Sequence, residues 1–284
     1  MSQLPSSIGF PSGVFGVAPL RLDVLTHGPG WVALNKPVNL PSDDHPWQEN
    51  AAHLVGELRV QLQLEKPEIV KLGLKEPAVA FGPEPQVSGL LILADRASTL
   101  AAWREAIGSF QLNFTYEFIA RTEEAPAEGG LCDLPLGMDD TRGRAFVSHR
   151  LGKQAETTFH GGELFNRWRR WTATTRFPRR DQIRAHANEC GLRIAGELEY
   201  ARSGRVTLTD TTRRGRLNKG DDKPLHRCLL LHLGRASVLD NVGIYTNRAS
   251  GVPEIPGSAV KGVLSTWATW EANQQSDGSF PDEA

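Results

Sequence analysis

The stretch that most constrains the fold is "SGLLILAD", Ser88 to Asp95. It is a continuous apolar run with the length of a core strand, so it belongs inside a sheet. Just ahead of it, "FGPEPQV" places one carboxylate, Glu84, between Pro83 and Pro85. Pro85 biases Glu84 toward extended backbone angles, and two fixed φ values stiffen the segment. A carboxylate held stiffly at a strand entrance is either a surface loop residue or a displayed catalytic acid.

Around that strand the periodicity predicts further elements. "WVALNKP" (31–37) reads as a strand ending at Pro37, and "FTYEFIAR" (114–121) alternates like a half-buried strand. "AETTFHGGELF" and "WRRWTATTRF" read as an antiparallel pair, and "HRCLLLHLGRASV" (226–238) as another strand. Helical spacing appears in 49–65, through Ala51, Leu54, Leu58 and Leu62, and in 97–110, through Leu100, Trp103 and Ile107. "DQIRAHANECG" (181–191) predicts a short helix with Asp181 as a first-turn acid and Gly191 as its stop. Residues 122–153 read as loops around a short apolar piece. The Pro/Gly/Ser-rich residues 1–20 are expected to form an irregular arm. Strands and helices without strict βα alternation predict an α+β fold, a mixed sheet flanked by helices.

Formal net charge is −1 over 284 residues, so the whole chain announces neither nucleic acid nor membrane. The local distribution says more. Arg167, Arg169, Arg170, Arg176, Arg179, Arg180 and Arg184 are interleaved with Trp168, Trp171 and Phe177. Such a mixture suits phosphate contact with base stacking, although a solvated strand face has the same look. "RRGRLNKG" (213–220) is a second basic run. Cys132, Cys190 and Cys228 have neither zinc spacing nor a disulfide framework, which fits a reducing cytoplasm. No secretory leader and no membrane-spanning run is expected.

At "DQIRAHANECGLRIAGELEYA" (181–201) the chain resembles the HQIR-x-H…G-x-P-I-x-GD-x-x-YG stretch of the RluA-type RNA pseudouridine synthases. "NKP" (35–37), "EPQVSGLLILAD" (84–95), "FTYEFIAR" and "LHRCLLLHL" (225–233) follow that family's order, and the resemblance covers roughly residues 20–235. It implies a mixed, mostly antiparallel sheet flanked by helices, an RNA cleft and isomerisation of uridine to pseudouridine. It implies no metal or organic cofactor. It implies RNA as the partner, ribosomal or transfer RNA foremost, whose target base must flip into a pocket.

The resemblance also carries roles. The family's catalytic aspartate aligns with Glu84, the arginine that keeps it ionised with Arg184, and the ring that stacks on the base with Tyr116. Gln182 and His186 flank Arg184, and together with Lys36 of the NKP motif and the arginines at 167, 169, 170, 176, 179 and 180 they form the expected RNA-binding set. Departures cluster at the site. Aspartate becomes Glu84, the next arginine becomes Pro85, the family's histidine becomes Asp181 and its lysine becomes Phe114. One extra methylene shifts a carboxylate by ~1 Å, which can cost ~100-fold in rate. Asp181, three residues before Arg184, is placed to draw it away from Glu84.

Residues 236–284 form a C-terminal extension beyond the synthase-like residues 21–235. "NVGIYTNRASGVPEIPGSAVKGVLSTWATW" (241–270) resembles the G-x-P-x-IPGSS-x-KG segment of the RAMP proteins of CRISPR effector complexes. A docked helix capped by Ser258 is the plainer reading, and 271–284 reads as a disordered acidic end. Three functions fit the sequence: a pseudouridine synthase, a catalytically silent RNA-binding relative, and a CRISPR-associated RNA-binding subunit. The extension is a possible contact for a protein partner.

Overall fold

A computed structural model describes residues 5–44, 51–121, 128–165, 168–200, 207–211 and 228–238. Arg167, the basic run at 213–220, and the extension beyond residue 238 lie outside the described residues.

The run Ser88–Asp95 forms strand β5 and is paired on both edges. One edge meets β3 (Trp31–Lys36) antiparallel, with Lys36 opposite Gly89. The other is shared between β4 (Pro77–Phe81), antiparallel to the second half of β5, and β13 (Leu231–Val238), parallel to Ser88 and Gly89. Gly89 is required there. Its φ is +122°, and a Cβ would sit 2.2 Å from the Leu233 carbonyl oxygen. Beyond β13 the sheet continues through β6 (Leu112–Arg121), β11 (Trp168–Thr175), β10 (Thr157–Phe165) and β7 (Gly129–Cys132), all antiparallel. β12 (Arg193–Ile194) pairs with the end of β6, and β8 (Leu136–Asp139) with β9 (Arg144–Val147) forms a separate hairpin. The described fold is α+β with a mixed, mostly antiparallel sheet.

β5 is apolar throughout because both of its faces are covered. Leu90 and Ile92 join one core with Ala33, Leu100, Trp103, Phe114, Tyr116 and Phe118. Leu91 and Leu93 join a second core with Val32, Leu34, Leu54, Leu58 and Ile69. The helices α1 (Leu54–Gln63) and α2 (Pro67–Val70) supply that second layer, while α3 (Leu100–Gly108) and α4 (Gln182–Glu189) contribute to the first. Each fully buried Leu or Ile contributes roughly 1.5–3 kcal/mol.

Two expectations are corrected. Within residues 1–20, Ser7–Phe10 is strand β1, paired antiparallel with β2 (Leu20–Gly28), which in turn pairs with β3. Ile8 and Phe10 are buried in the second core. Burial of these two side chains outweighs the Pro, Gly and Ser content around them. Residues 122–153 likewise hold the short strands β7, β8 and β9 where loops were expected.

Candidate active site

Glu84 lies in the turn between β4 and β5, and three elements hold it. Below it, Lys36 at the end of β3 is fully buried, and its Nζ donates to the carbonyls of Pro37 (3.0 Å), Leu40 (3.1 Å) and Pro85 (3.0 Å). These three acceptors take all three N–H bonds of an ammonium. Burial lowers the pKa of Lys36 to about 7, with Glu84 opposing. Above it, the Asp181 backbone N–H donates to Glu84 Oε1 at 2.5 Å. Beside it, Tyr116 projects from the middle of β6, between Ala173 of β11 and Leu233 of β13. Glu84 and Tyr116 line a cavity of about 280 Å³ together with Phe81, Pro178, Arg179, Arg180, Asp43 and Asp44.

The residue Glu84 is partly exposed at this cavity, while its carboxyl group is enclosed. Burial raises the carboxyl pKa above the ordinary value, and Asp181 raises it further; backbone N–H donors and Arg184 pull the other way. Tyr116 is raised well above 10, first by burial and then by the Glu84 charge, so its hydroxyl keeps its proton at neutral pH.

Arg184 is 3% exposed and belongs to a network of acids. Its Nε and Nη2 donate to the two Glu197 oxygens at 2.8 Å each. Nη1 donates to Asp181 at 3.0 Å and Nη2 also to Glu199 at 3.1 Å. Tyr200 completes the network, donating from its hydroxyl to Asp181 at 3.0 Å under the guanidinium. Burial opposes the charge of Arg184, but Glu197, Asp181 and Glu199 outweigh it, and the group stays a guanidinium. The expected pairing of Asp181 with Arg184 is thus present. What reaches Glu84 as a hydrogen-bond donor is the Asp181 backbone, while Arg184 acts on it only through its field. Asp181 adopts a left-handed φ of 54°, which aspartate tolerates better than most residues, and it sits just before α4.

Three of the expected RNA-binding residues are instead internal supports. Lys36 clamps the Glu84 turn as described. Gln182 is 1% exposed; its Nε2, with two N–H bonds to give, lies within 2.8–3.1 Å of Glu156 O, Thr157 Oγ1 and Thr175 Oγ1, and its Oε1 accepts from the Arg179 N–H. His186 is fully buried between Thr157 Oγ1 and the Leu134 carbonyl. A buried polar side chain needs its partners inside, and these have them. Arg179 and Arg180 do line the cavity, and Arg176 is exposed nearby on the segment leading to it. Arg169 and Arg170 lie elsewhere. They pair with Ala120 and Ile119, so Arg169 stands four residues from Tyr116 along the strand, about 13 Å. Arg170 pairs with Glu117 and Arg169 donates to Gly162 O. Arg167 is outside the described residues.

The residues that sequence reasoning passed over are Glu197 and Tyr200. "GELEYA" carried the signal, since Glu197 and Tyr200 stand at the acid and tyrosine of the quoted GD-x-x-YG pattern. Among the described residues, no cluster of three or more His, Cys, Asp or Glu side chains is arranged to hold a metal ion.

Two solved structures share this architecture. Human RNA pseudouridylate synthase domain containing 4 superposes with a TM-score of 0.53 at 17% identity, covering 75% of this chain and 82% of that one. Human RNA pseudouridylate synthase domain containing 1 gives 0.50 at 12% identity, covering 78% and 80%. The chain has the pseudouridine synthase fold. In sequence it is 25% identical over 189 residues to the uncharacterized RNA pseudouridine synthase YlyB of Bacillus subtilis (strain 168). That match takes in 64% of this chain and spans 58% of the relative. Residues 212–283 match the RAMP superfamily model, in line with the resemblance read in 241–270; of these, only 228–238 are described. Among the described residues no helix is long and apolar enough to cross a membrane.

Proposed function

We propose that this protein is an RNA pseudouridine synthase of the RluA type. The observation that carries the reading is the enclosure of Glu84 and Tyr116 in one cavity of the pseudouridine synthase fold, with Arg179 and Arg180 at its wall. The relative in Bacillus subtilis, named an RNA pseudouridine synthase, supports the choice of RNA.

The assigned chemistry breaks the N1–C1′ bond of a flipped uridine, turns the base, joins C5 to C1′ with loss of the C5 proton to solvent, and leaves N1 protonated. Glu84 in its ionised form is the group that reaches C1′ or the 2′ side of the ribose. The Asp181 N–H aims one oxygen, and the Arg184 field favours the ionised form. Tyr116 stacks on the base, and its hydroxyl stays protonated. Arg179 and Arg180 meet the phosphates that flank the flipped nucleotide. Lys36, Gln182 and His186 position the turn and the helix rather than touch RNA.

Ribosomal or transfer RNA is the assigned substrate class. The three cysteines are free thiols, which supports a cytoplasmic setting. β13 runs to Val238, so the extension begins after it; residues 239–284, all but the last of which lie in the RAMP match, are assigned to a protein partner, and co-purification from cells with and without them tests this. The test of the main reading is product analysis. RNA incubated with the protein is digested to nucleosides, and a new nucleoside of uridine's mass with the chromatographic retention of pseudouridine is expected. Its absence on both ribosomal and transfer RNA counts against the reading.

A further inference from the structure

A second cavity, of about 640 Å³, lies next to the candidate active site, and Arg179 lines both. The segment 177–180 connects them: Phe177 faces the larger cavity, Pro178 and Arg180 the smaller. Two aromatic rings meet in the larger one. Phe110 and Phe177 have centroids 5.6 Å apart and planes tilted by 43°. The Arg179 guanidinium sits 5.1 Å over the Phe177 ring, and its Nε donates to the Gln154 carbonyl at 2.7 Å. Arg176 is exposed at the same cavity and makes no ion pair with any described residue. One acid, Glu156, also lines it, and its carboxylate accepts from Gln154 Nε2 at 2.8 Å.

The backbone of Phe110 points to a use for this arrangement. Helix α3 ends in a Schellman motif: Gln111 N–H donates to Ala106 O and Phe110 N–H to Ile107 O. Phe110 therefore occupies the left-handed position, with φ of 59°, where glycine is the favoured residue. A bulky side chain in that conformation is disfavoured, and this one is 54% exposed, so core packing does not explain it. Phe110 gives up backbone comfort and holds its ring out over the groove.

We propose that this groove binds the nucleotide next to the target in a single-stranded RNA, its base stacked on the exposed Phe110 ring, which Phe177 backs, and its phosphates on Arg176 and Arg179. Every base has a π-face, so such a platform accepts any neighbouring sequence, and the arginines supply the phosphate contact. The inference rests on the RNA reading above and extends the substrate from one flipped uridine to a strand across two adjoining cavities.

Fluorescence anisotropy of the full chain with a labelled uridine-containing single strand of about ten nucleotides tests it. Phe110→Gly is the informative variant, because glycine relieves the backbone while removing the ring. Its Kd is expected to rise about 5- to 150-fold, the range seen when a stacking ring is removed. Phe177→Ala should show the same range, and Arg176→Gln should lower the salt slope by about 0.7. A duplex of equal length, whose bases are already stacked, should bind wild type and Phe110→Gly alike. A ring with only a local structural role leaves single-strand affinity unchanged in Phe110→Gly, and that result overturns the inference. Equal losses on duplex and single strand overturn it too. If the wild-type protein binds no RNA at all, the RNA reading itself falls; retained wild-type binding with unaffected ring variants sinks the groove alone.

Discussion

Restoring aspartate at position 84 should harm the protein. The Asp181 N–H meets Glu84 Oε1 at 2.5 Å. Glu84→Asp shortens the side chain by one C–C bond, about 1.5 Å. The turn cannot follow, because Pro83 and Pro85 fix its backbone and Lys36 holds the Pro85 carbonyl at 3.0 Å. The oxygen then stands about 4 Å from its donor, beyond hydrogen-bond reach. Asp181 is 4% exposed, so its N–H is left with little water to replace the lost acceptor. That costs about 1–3 kcal/mol, or roughly 2–12 °C in Tm for a domain of this size. A carboxylate displaced by more than 1 Å should also lose on the order of 100-fold in rate. Thermal unfolding and tritium release from RNA labelled at uridine C5 read the two effects separately. If Glu84→Asp is as stable and as active as wild type, glutamate is not fitted to this site and the geometric argument fails.

Other perturbations follow from the same geometry. Glu197→Ala removes the bidentate partner of a buried guanidinium and should cost about 3–5 kcal/mol in urea unfolding. Glu199→Ala, at a side chain 44% exposed, should cost less than about 1 kcal/mol; equal losses would contradict the network as drawn. Lys36 has its pKa lowered from 10.5 to about 7 on folding. Between those values the unfolded chain holds a proton that the folded chain lacks, so this residue makes stability rise with pH. Wild type should therefore gain about 1–2 kcal/mol on Lys36→Met between pH 7 and 8.5, and parallel pH profiles for the two proteins would show that the amine is not desolvated. Finally, in the proposed chemistry Glu84 acts ionised and its pKa is raised, so activity should climb with pH above the ordinary carboxylate range. A rate already at its plateau near pH 5 would refute the enclosure of that carboxyl.

The strands were legible in the sequence where pattern and burial agree. In β5 both faces are covered, and the apolar run reports it directly; in β6 the alternation of Leu112, Phe114, Tyr116, Phe118 and Ala120 matches one buried face. Ser7–Phe10 was not legible, because two buried side chains in a Pro/Gly/Ser-rich arm carry too little periodicity. At the site, motif order points to Glu84, Tyr116 and Arg184, and the fold brings Glu84 and Tyr116 to one cavity, but their contacts have no signature in the motifs. Lys36, Gln182 and His186 are polar and near the motifs, which makes them look like ligands for RNA. Only the fold shows that each is surrounded by internal acceptors and donors. The role of Asp181 was half visible: its spacing to Arg184 predicts the ion pair, but the left-handed φ that aims its N–H at Glu84 is a backbone property with no motif of its own.

The central claim is that Glu84 acts on uridine from this cavity, and one measurement bears on it most directly. Purified protein is incubated with transfer or ribosomal RNA carrying tritium at uridine C5, and tritium released to water is counted for wild type and for Glu84→Ala. Time-dependent release by wild type that vanishes in Glu84→Ala, with the variant folded by circular dichroism, is the predicted result. Release that persists undiminished in Glu84→Ala, or no release by wild type on either RNA, contradicts the assignment.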